Sequence, residues 1–211
     1  FIIACDKLRR HHRISDRLEE KMEDAMERLE TEDGVVQHSP DATWMDTLER
    51  RNAVEIQSLW IKAADIMERE NELKEGLEEF EEDDYMRDHL GEDAPRTINP
   101  AVPLMLDQVE EPDSHLEKIN AEFTSRYGAR TRSMADPGYS SGGYHTGAVW
   151  GLTTNWAAAA NLAHGNRRQG LNHLEKMAKF LDRNQLGALP EAVDAESGEL
   201  IGGPEQAWSA G

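Results

Sequence analysis

The amino-acid sequence predicts an all-α protein, and three observations support this prediction. In several segments, apolar residues recur at the three- and four-residue spacing of an amphipathic helix. Segments with mostly charged surfaces alternate with segments that are apolar on nearly every side. No stretch of any length alternates apolar and polar residues as a half-buried strand does. Helical hairpins that close into a ring have this alternation of inner and outer helices, but a plain bundle or a solenoid has the same coarse pattern.

The N-terminal half of the chain is predicted to contain four helices. The first covers about residues 1–12, and the second covers 15–30, where the polar face is almost wholly charged. The third, at 54–67, has little polar surface, so we expect it to be well buried. Residues 72–90 are also predicted to be helical, and their many acidic side chains favour a solvated outer face.

The C-terminal half is predicted to add four more helices. Three prolines interrupt residues 94–103, which we therefore expect to be a connection. A long loop at 127–144 separates two pairs of helices, and loops of this length are often functional. The helices are predicted at 104–109, 113–126, 145–164 and from 167 onwards.

The last two helices have the clearest boundaries and faces. Gly165 is predicted to end the first of them as a C-cap, and Asn166 can cap the second. The buried face of the final helix is predicted to consist of Leu171, Leu174, Met177, Ala178 and Leu181.

The composition is strongly acidic, with 42 Asp and Glu residues against 23 Lys and Arg residues and a formal net charge of -19. This charge would repel phosphate backbones and anionic membrane surfaces, so neither nucleic acid nor a membrane is expected as a partner. The charge has two interpretations, an ordinary acidic cytosolic enzyme or adaptation to high salt, where the Debye length falls to about 3 Å. We favour adaptation to high salt, which predicts that thermal stability rises along a salt series.

The ends of the chain and its single cysteine give three further expectations. Cys5 excludes an intrachain disulfide and is compatible with the reducing cytoplasm, where we expect the protein. No apolar run approaches the roughly 20 residues that span a bilayer. The chain opens inside an apolar run without Met and stops as a helix begins. We therefore expect residues 1–211 to be a single incomplete domain, with the missing remainder of its own helical ring as a partner.

Two acidic residues lie in aromatic or glycine-containing segments unlike the helical sequence around them. They are Asp46, in Ala-Thr-Trp-Met-Asp, and Glu191, in Gly-Ala-Leu-Pro-Glu. Between them, residues 143–150 read Gly-Tyr-His-Thr-Gly-Ala-Val-Trp and are rich in groups that can face a sugar. Two separated carboxyl groups in such company suggest glycoside hydrolysis, in which one acid protonates the leaving oxygen and a second carboxylate activates water.

Six motifs follow one another in an order that resembles a known family. They are Thr-Trp-Met-Asp at 43–46, Val-Glu-Ile-Gln-Ser-Leu-Trp at 54–60, Tyr-Gly-Ala-Arg-Thr at 127–131, Tyr-His-Thr-Gly-Ala-Val-Trp at 144–150, Gly-Ala-Leu-Pro-Glu at 187–191 and Gln-Ala-Trp-Ser at 206–209. Any one of these is a weak signal, but the six together resemble the amylo-alpha-1,6-glucosidase module of glycogen debranching enzymes. The resemblance covers nearly the whole chain.

This resemblance implies a fold and an activity. The family has an (α/α)6 toroid of six helical hairpins and is related to glucoamylases, so the chain looks like the C-terminal half or more of that ring, a partial toroid. By the same resemblance Asp46 is the general acid and Glu191 the general base of an inverting hydrolysis that removes glucose from α-1,6 branch points of glycogen-like glucans. The substrate would then be an α-glucan or oligosaccharide. An inverting pair lies roughly 6.5 to 9.5 Å apart.

The two carboxyl groups need different surroundings for these roles. Asp46 has to stay protonated near neutral pH, so we expect it to be buried beside Trp44. Glu191 has to stay ionised. Each residue also has an interpretation without a catalytic role: Asp46 caps a helix that begins at Thr47, and Glu191 only follows a proline turn. Glu205 is an alternative candidate for the general base.

Further residues are predicted to contact the sugar. The tryptophans offer flat faces for a pyranose, although at least one of Trp44, Trp150 and Trp208 should be structural, and Trp208 is the foremost candidate for that. Arg130 can donate a forked pair of hydrogen bonds, or it can anchor Asp136 instead. Burying the charge of Glu55 on an apolar helix costs free energy unless the carboxylate is paired or faces the cleft. The predicted substrate-binding set is Trp44, Glu55, Asn99, Arg130, Tyr144, His145, Trp150 and Gln206.

No metal or cofactor is predicted, and other functions are weaker interpretations. The histidines lack a compact ligand spacing, and the sequence has neither a glycine-rich phosphate loop nor a serine nucleophile elbow. Within the enzyme class the alternative is a glucoamylase-type α-1,4-glucosidase. Outside it, the alternative is a noncatalytic helical glucan-binding scaffold.

Overall fold

The computed structural model describes residues 1–69, 72–83, 85–183 and 187–209. These residues form eight α-helices, three two-stranded antiparallel sheets and one short 3-10 helix. The chain divides into two compact units, Phe1–Phe80 with His89–Gly91, and Glu81–Asp88 with Glu92–Gly211. No helix in the described part of the chain combines the length and the apolar character that a bilayer crossing requires.

The first unit is organised around one helix. Its described elements are α1 (Ile2–Arg9), α2 (Asp16–Glu27), β1 (Thr31–Glu32), β2 (Val35–Val36), α3 (Val54–Ile66) and α4 (Leu73–Glu78). Helix α3 is central because α1, α4 and β2 all pack against it. Its buried Gln57 donates to the carbonyl oxygens of Gly34 at 2.9 Å and Leu73 at 2.7 Å, and accepts from the Val36 N–H at 2.8 Å. One amide side chain thus attaches both neighbouring segments to α3.

The second unit is also built around one helix. Its described elements are β3 (Glu81–Glu82), β4 (Tyr85–Met86), α5 (Ala101–Met105), α6 (Pro112–Phe123), β5 (Val149–Trp150), α7 (Gly151–Ala163), α8 (Arg167–Arg183), β6 (Ala192–Val193) and the 3-10 helix Ala207–Ser209. Helix α7 contacts α5, α6, α8 and the 3-10 helix. Its buried alanines, Ala157, Ala158 and Ala160, allow these neighbours to pack closely.

The helix predicted at 72–90 ends at Glu78 in the structure, so the prediction is wrong beyond that residue. Residues Glu81–Glu82 pair antiparallel with Tyr85–Met86 instead. Tyr85 and Met86 are buried, and the Tyr85 ring stacks on Phe123 of α6 at 6.1 Å. Packing of this kind overrides the helical propensity of an acidic segment.

The helix predicted to start at residue 145 begins only at Gly151. The preceding residues Val149–Trp150 form β5, which pairs with Ala192–Val193. This pairing is remote in the sequence, so periodicity could not have revealed it. The end of the same helix is confirmed, because Gly165 follows the C-cap residue His164 with φ +76°, a left-handed conformation that glycine adopts without strain.

The buried face of α8 differs from the predicted one. Of the five apolar residues expected there, only Met177 is buried. The core side of α8 consists of Gly170, His173, Met177 and Phe180. His173 and Phe180 lie at helical spacing from Met177. The prediction was wrong because hydrophobicity favours leucines as the buried residues, whereas here a histidine is buried. Leu171, Leu174, Ala178 and Leu181 are exposed.

Candidate active site

The loop that carries Asp46 lies in the first unit and is closed by its own backbone. The Arg50 N–H donates to the carbonyl oxygen of Pro40 at 2.8 Å, and the Leu48 N–H donates to that of Met45 at 3.0 Å. Asp46 therefore lies in a turn, and the alternative that it caps a helix at Thr47 is wrong.

Burial alternates along the approach to this turn. Thr43 and Met45 are buried, Trp44 is half-buried and Asp46 is exposed. The expected burial of Asp46 beside Trp44 is therefore wrong. In this loop Trp44 is the partly accessible aromatic face, and Asp46 is a solvent-facing carboxyl group. Their roles toward a sugar stay predictions.

Glu55, in the first turn of α3, is not at an accessible surface. It is 2% exposed, and both its oxygens accept from Arg50: Nη1 to Oε1 at 2.7 Å and Nη2 to Oε2 at 2.7 Å. The guanidinium Nη1 also donates to the Thr43 hydroxyl at 3.1 Å. The predicted sugar contact of Glu55 is therefore corrected to a buried ion pair. This pair lies under the Asp46 loop.

Glu191 lies in the second unit and is held by three donors from two segments. Tyr144 Oη donates to Oε1 at 2.5 Å, the Gly203 N–H donates to Oε2 at 2.7 Å, and Gln206 Nε2 donates to Oε1 at 3.3 Å. These hydrogen bonds, with that of Tyr144 first, lower the pKa of Glu191 below its usual value, and His145 adds to the effect. The carboxylate thus stays ionised, as the predicted general base requires.

Strand pairing brings the Tyr144 segment to Glu191. In the β5–β6 register Trp150 is opposite Ala192, the residue after Glu191. The Trp150 Nε1–H donates to the carbonyl oxygen of Tyr144 at 2.7 Å, and the two rings meet edge to face at 4.6 Å. His145 stacks on Trp150 at 5.4 Å. These contacts hold the Tyr144 hydroxyl where it reaches the carboxylate.

Trp150 and His145 are therefore supports rather than accessible sugar contacts. Each is 2% exposed, so the prediction that they face a sugar is wrong. Trp208, expected to be the most structural of the three tryptophans, is 50% exposed, so that expectation is wrong as well. Trp150 is the structural one because it sits in a paired strand with its N–H bonded.

Asn99 and Arg130 also have protein partners. Asn99 is fully buried and donates to Asp88 Oδ1 at 2.6 Å, so the predicted sugar contact of Asn99 is wrong. Arg130 is half-buried and donates to the carbonyl oxygen of Thr124 at 2.8 Å. Its alternative partner Asp136 is bound instead by Arg132, at 2.7 Å. Contact of Arg130 with a sugar stays a prediction.

Sequence reasoning missed three contributors to these sites. Gly202 and Gly203 bring backbone to Glu191, and a Cβ atom on Gly202 would lie 2.3 Å from Glu191 Oε2. The available signal was the Gly-Gly pair itself, since glycine permits close backbone approach. Arg50 was missed because pairing of Glu55 was considered without a named partner. Within the described residues, no group of three or more His, Cys, Asp or Glu residues could hold a metal ion.

The model of one family matches this chain. The mannosylglycerate hydrolase MGH1-like glycoside hydrolase domain matches residues 62–209. The chain belongs to this family. It is thus a member of a six-hairpin glycoside hydrolase family, and the narrower resemblance to the debranching module stays a prediction. No curated protein matches the chain.

Solved structures give the same fold. The GH63 mannosylglycerate hydrolase from Thermus thermophilus, in complex with glucose, is 17% identical with a TM-score of 0.63, over 75% of this chain and 46% of that one. An uncharacterised conserved protein from the same organism is 16% identical with a TM-score of 0.63, over 78% and 47%. A protein named sialidase is 14% identical with a TM-score of 0.62, over 88% and 21%. The predicted all-α fold class of the (α/α)6 type is thereby confirmed. The chain spans just under half the length of the mannosylglycerate hydrolase.

Proposed function

We propose that this chain carries the catalytic carboxyl groups of an inverting glycoside hydrolase. The observation that carries the proposal is Glu191, which three donors hold as a carboxylate while leaving it half-buried. A base in this state can take a proton from water as the water oxygen attacks the anomeric carbon. Asp46 would protonate the departing glycosidic oxygen. The bond between the anomeric carbon and that oxygen breaks, and a sugar of inverted configuration and an alcohol are released.

Trp44 and Gln206 would complete the sugar contacts. The half-buried ring of Trp44 precedes Asp46 closely enough to offer a pyranose an apolar face beside the acid. Gln206 already donates to Glu191, so the rest of its amide can serve a hydroxyl group of the same sugar. The separation of the two carboxyl groups, expected at roughly 6.5 to 9.5 Å for inversion, belongs to the proposal.

Two substrates have separate support. The matching family is named for mannosylglycerate, which makes mannosylglycerate the first substrate to test. The order of the six motifs favours α-1,6-linked glucose at the branch points of a glucan, with α-1,4-linked glucose as the variant of that proposal. In each case the scissile bond joins an anomeric carbon to an alcohol oxygen, so the same acid and base serve.

We also propose that the complete catalytic unit is longer than this chain. The support is the share of the mannosylglycerate hydrolase that the chain spans, 46%. The remainder of the helical ring would then be its partner. Activity is therefore best measured in the full-length protein.

The test uses two pairs of variants in the full-length protein. Glu191→Gln and Asp46→Asn are each expected to lower kcat by about 10² to 10⁴-fold, because each removes one proton-transfer group. Their matched controls are Glu205→Gln and Asp41→Asn, which change exposed neighbours on the same segments and should leave kcat within about twofold. Sugar release is measured on mannosylglycerate, isomaltose and maltose.

Three outcomes would contradict the proposal. Unchanged turnover in Glu191→Gln or Asp46→Asn would favour a noncatalytic scaffold. A large loss in Glu205→Gln alone would make Glu205 the base. Retention of configuration in the first product, followed by NMR, would exclude the inverting mechanism.

A further inference from the structure

Arg50 connects the Asp46 loop to helix α3 through both its backbone and its side chain. The backbone N–H closes the loop on Pro40, and the side chain reaches back into the loop to Thr43 and forward to Glu55. Arg50 is 1% exposed, so these contacts are made away from solvent. A planar guanidinium can make such a set of contacts because its donors diverge in a fixed fork.

Inward-facing and outward-facing side chains alternate in the loop, and Arg50 contacts one of the inward-facing ones, Thr43. Thr43 and Met45 are buried. Trp44, which lies between them, is half-buried, and Asp46, which follows Met45, is exposed. The backbone bends at Thr43 and Trp44 and turns at Asp46, so the buried side chains of Thr43 and Met45 are the anchors of the backbone from which Asp46 projects. The hydrogen bond from Arg50 to the Thr43 hydroxyl holds one of these two anchors, three residues before Asp46.

Glu55 makes this arrangement rigid. Its two 2.7 Å contacts fix the plane of the guanidinium, and its position in the first turn of α3 places the ion pair on a buried helix. A buried ion pair is a poor source of stability compared with apolar residues of similar size, because both charges lose their hydration. The two parallel hydrogen bonds nevertheless restrict the guanidinium and the carboxylate to one relative orientation. A pair at this place is therefore better explained by the orientation of the loop than by stability alone.

We propose that Arg50, held by Glu55, is a positioning residue that fixes the direction of Asp46 through Thr43. The inference rests on the proposed function, since it takes Asp46 as the general acid. Because Arg50 is 1% exposed, it would act in this role through Thr43 and not by contact with the sugar. Misplacement of an acid by about 1 Å can cost on the order of 10²-fold in rate.

The chemistry of the leaving group provides a test that a general loss of stability would not mimic. Glycosidic oxygen in mannosylglycerate or isomaltose needs a proton to depart, whereas fluoride in mannosyl fluoride or glucosyl fluoride departs with little help. Arg50→Lys keeps the charge but loses the fork, and should lower kcat on the oxygen-linked substrate by about 10- to 100-fold, with KM changed by less than about threefold. On the fluoride of the same sugar the loss should stay below about threefold.

Matched variants separate positioning from folding. Arg51→Lys makes the same chemical change at the exposed neighbouring residue and should leave both rates within about twofold. Thr43→Val removes only the acceptor of the Arg50 hydrogen bond and should cost about 3- to 10-fold on the oxygen-linked substrate. Thr43→Ser keeps that acceptor and should restore the wild-type rate.

Hydrogen exchange gives a second readout that needs no turnover. In Arg50→Lys and Thr43→Val, amide exchange at residues 41–48 should accelerate, while exchange in the rest of α3 and thermal unfolding change little. Equal losses on the oxygen-linked substrate and the fluoride, or unchanged exchange at 41–48, would overturn the inference. If Asp46→Asn leaves turnover intact, the proposed function fails instead. The exchange result then still reports whether Arg50 orders the loop.

Discussion

The loop that carries Asp46 and the turn that carries Glu191 hold their carboxyl groups in opposite ways. No described residue donates a hydrogen bond to Asp46, which is exposed, and the ordered contacts lie beneath it in the Arg50–Glu55 pair. Glu191 is itself the centre of its network, with hydrogen bonds from Tyr144, Gly203 and Gln206.

In the proposed reaction the two carboxyl groups have different tasks. A base must be ionised and fixed before the reaction, and direct donors provide both conditions. An acid must give its proton to the substrate, so donors that stabilise its charged form would work against it. The buried side chains of Thr43 and Met45 can orient Asp46 without a direct donor to its carboxyl group.

The largest expected effect concerns stability in the Asp46 region. Glu55→Gln removes one charge from a buried ion pair and leaves the Arg50 charge uncompensated, so the free energy of unfolding should fall by about 3 to 5 kcal/mol. Glu191→Gln changes a half-buried carboxylate whose amide replacement can keep part of the hydrogen bonds, so it should cost only about 1 to 2 kcal/mol. Chemical denaturation measures both, with Glu49→Gln as an exposed control in the same loop. If Glu55→Gln and Glu191→Gln lower the free energy of unfolding equally, the proposed difference between the two regions is contradicted.

The second prediction separates acid unfolding from titration of Glu191. His173, buried in α8, has its pKa lowered to about 4, first by burial and then by the positive charge of Lys176. The native state thus keeps His173 neutral, whereas the unfolded chain binds a proton below its ordinary pKa of about 6.5. Stability should therefore fall as the pH drops from about 6.5 to about 4, by up to about 3 kcal/mol.

His173→Gln should lack most of this pH dependence, and thermal or urea unfolding across the pH range measures it. His12→Gln, at an exposed position, is the control and should keep the wild-type slope. If the two variants have the same slope, His173 is not the group responsible.

The third prediction tests the donors of Glu191. Tyr144→Phe removes the hydrogen bond that contributes first to the low pKa of Glu191, so that pKa should rise. Because the base must be ionised, the acid limb of the kcat/KM profile should move to higher pH, and the rate on that limb should fall about tenfold. Gln206→Leu removes the longer hydrogen bond and should move the limb less, in the same direction.

Tyr139→Phe is the matched control for this change. The buried hydroxyl of Tyr139 has no hydrogen-bond partner among the described residues, so its removal should leave the profile in place. A profile that is unaltered in Tyr144→Phe would show that Tyr144 does not tune the base.

The smallest expected effect concerns the backbone around Glu191. A Cβ atom at Gly202 would lie 2.3 Å from Glu191 Oε2, whereas one at Gly203 would be no closer than 3.4 Å to any neighbouring atom. Gly202→Ala should therefore displace the carboxylate and lower kcat by about 3- to 10-fold, while Gly203→Ala stays near wild type. Steady-state kinetics of the two variants decide this, and a larger loss in Gly203→Ala would contradict it.

Much of the fold could be predicted from the sequence because its helices are strongly periodic. Helices α2 and α3 are found close to their predicted bounds, and Gly165 ends α7 as expected. The errors fall where distant segments meet. Tyr85 and Met86 were predicted to be helical but form a strand that pairs with Glu81–Glu82. Trp150 was also predicted to be helical but lies in β5, where it pairs with Ala192.

The candidate site shows the same division. Asp46, Glu191 and Tyr144 were predicted from local motifs, and the Tyr144–Glu191 hydrogen bond connects two of them. Asn99, His145 and Trp150 were misinterpreted because polar and aromatic residues serve equally well in a core and in a sugar site. Only their partners and burial distinguish the two uses. Adaptation to high salt and a cytoplasmic location stay predictions.

The sequence by itself determined the all-α class, the acidic surface and the two segments in which the carboxyl groups lie, because these depend on composition and short-range spacing. Only the tertiary structure decided how each carboxyl group is held. The partners of Glu191 come from the segments at 144 and 203–206, and Arg50 contacts the Asp46 loop through a buried hydrogen bond to Thr43. Such contacts depend on which surfaces meet when the chain packs, and no local pattern of residues records that.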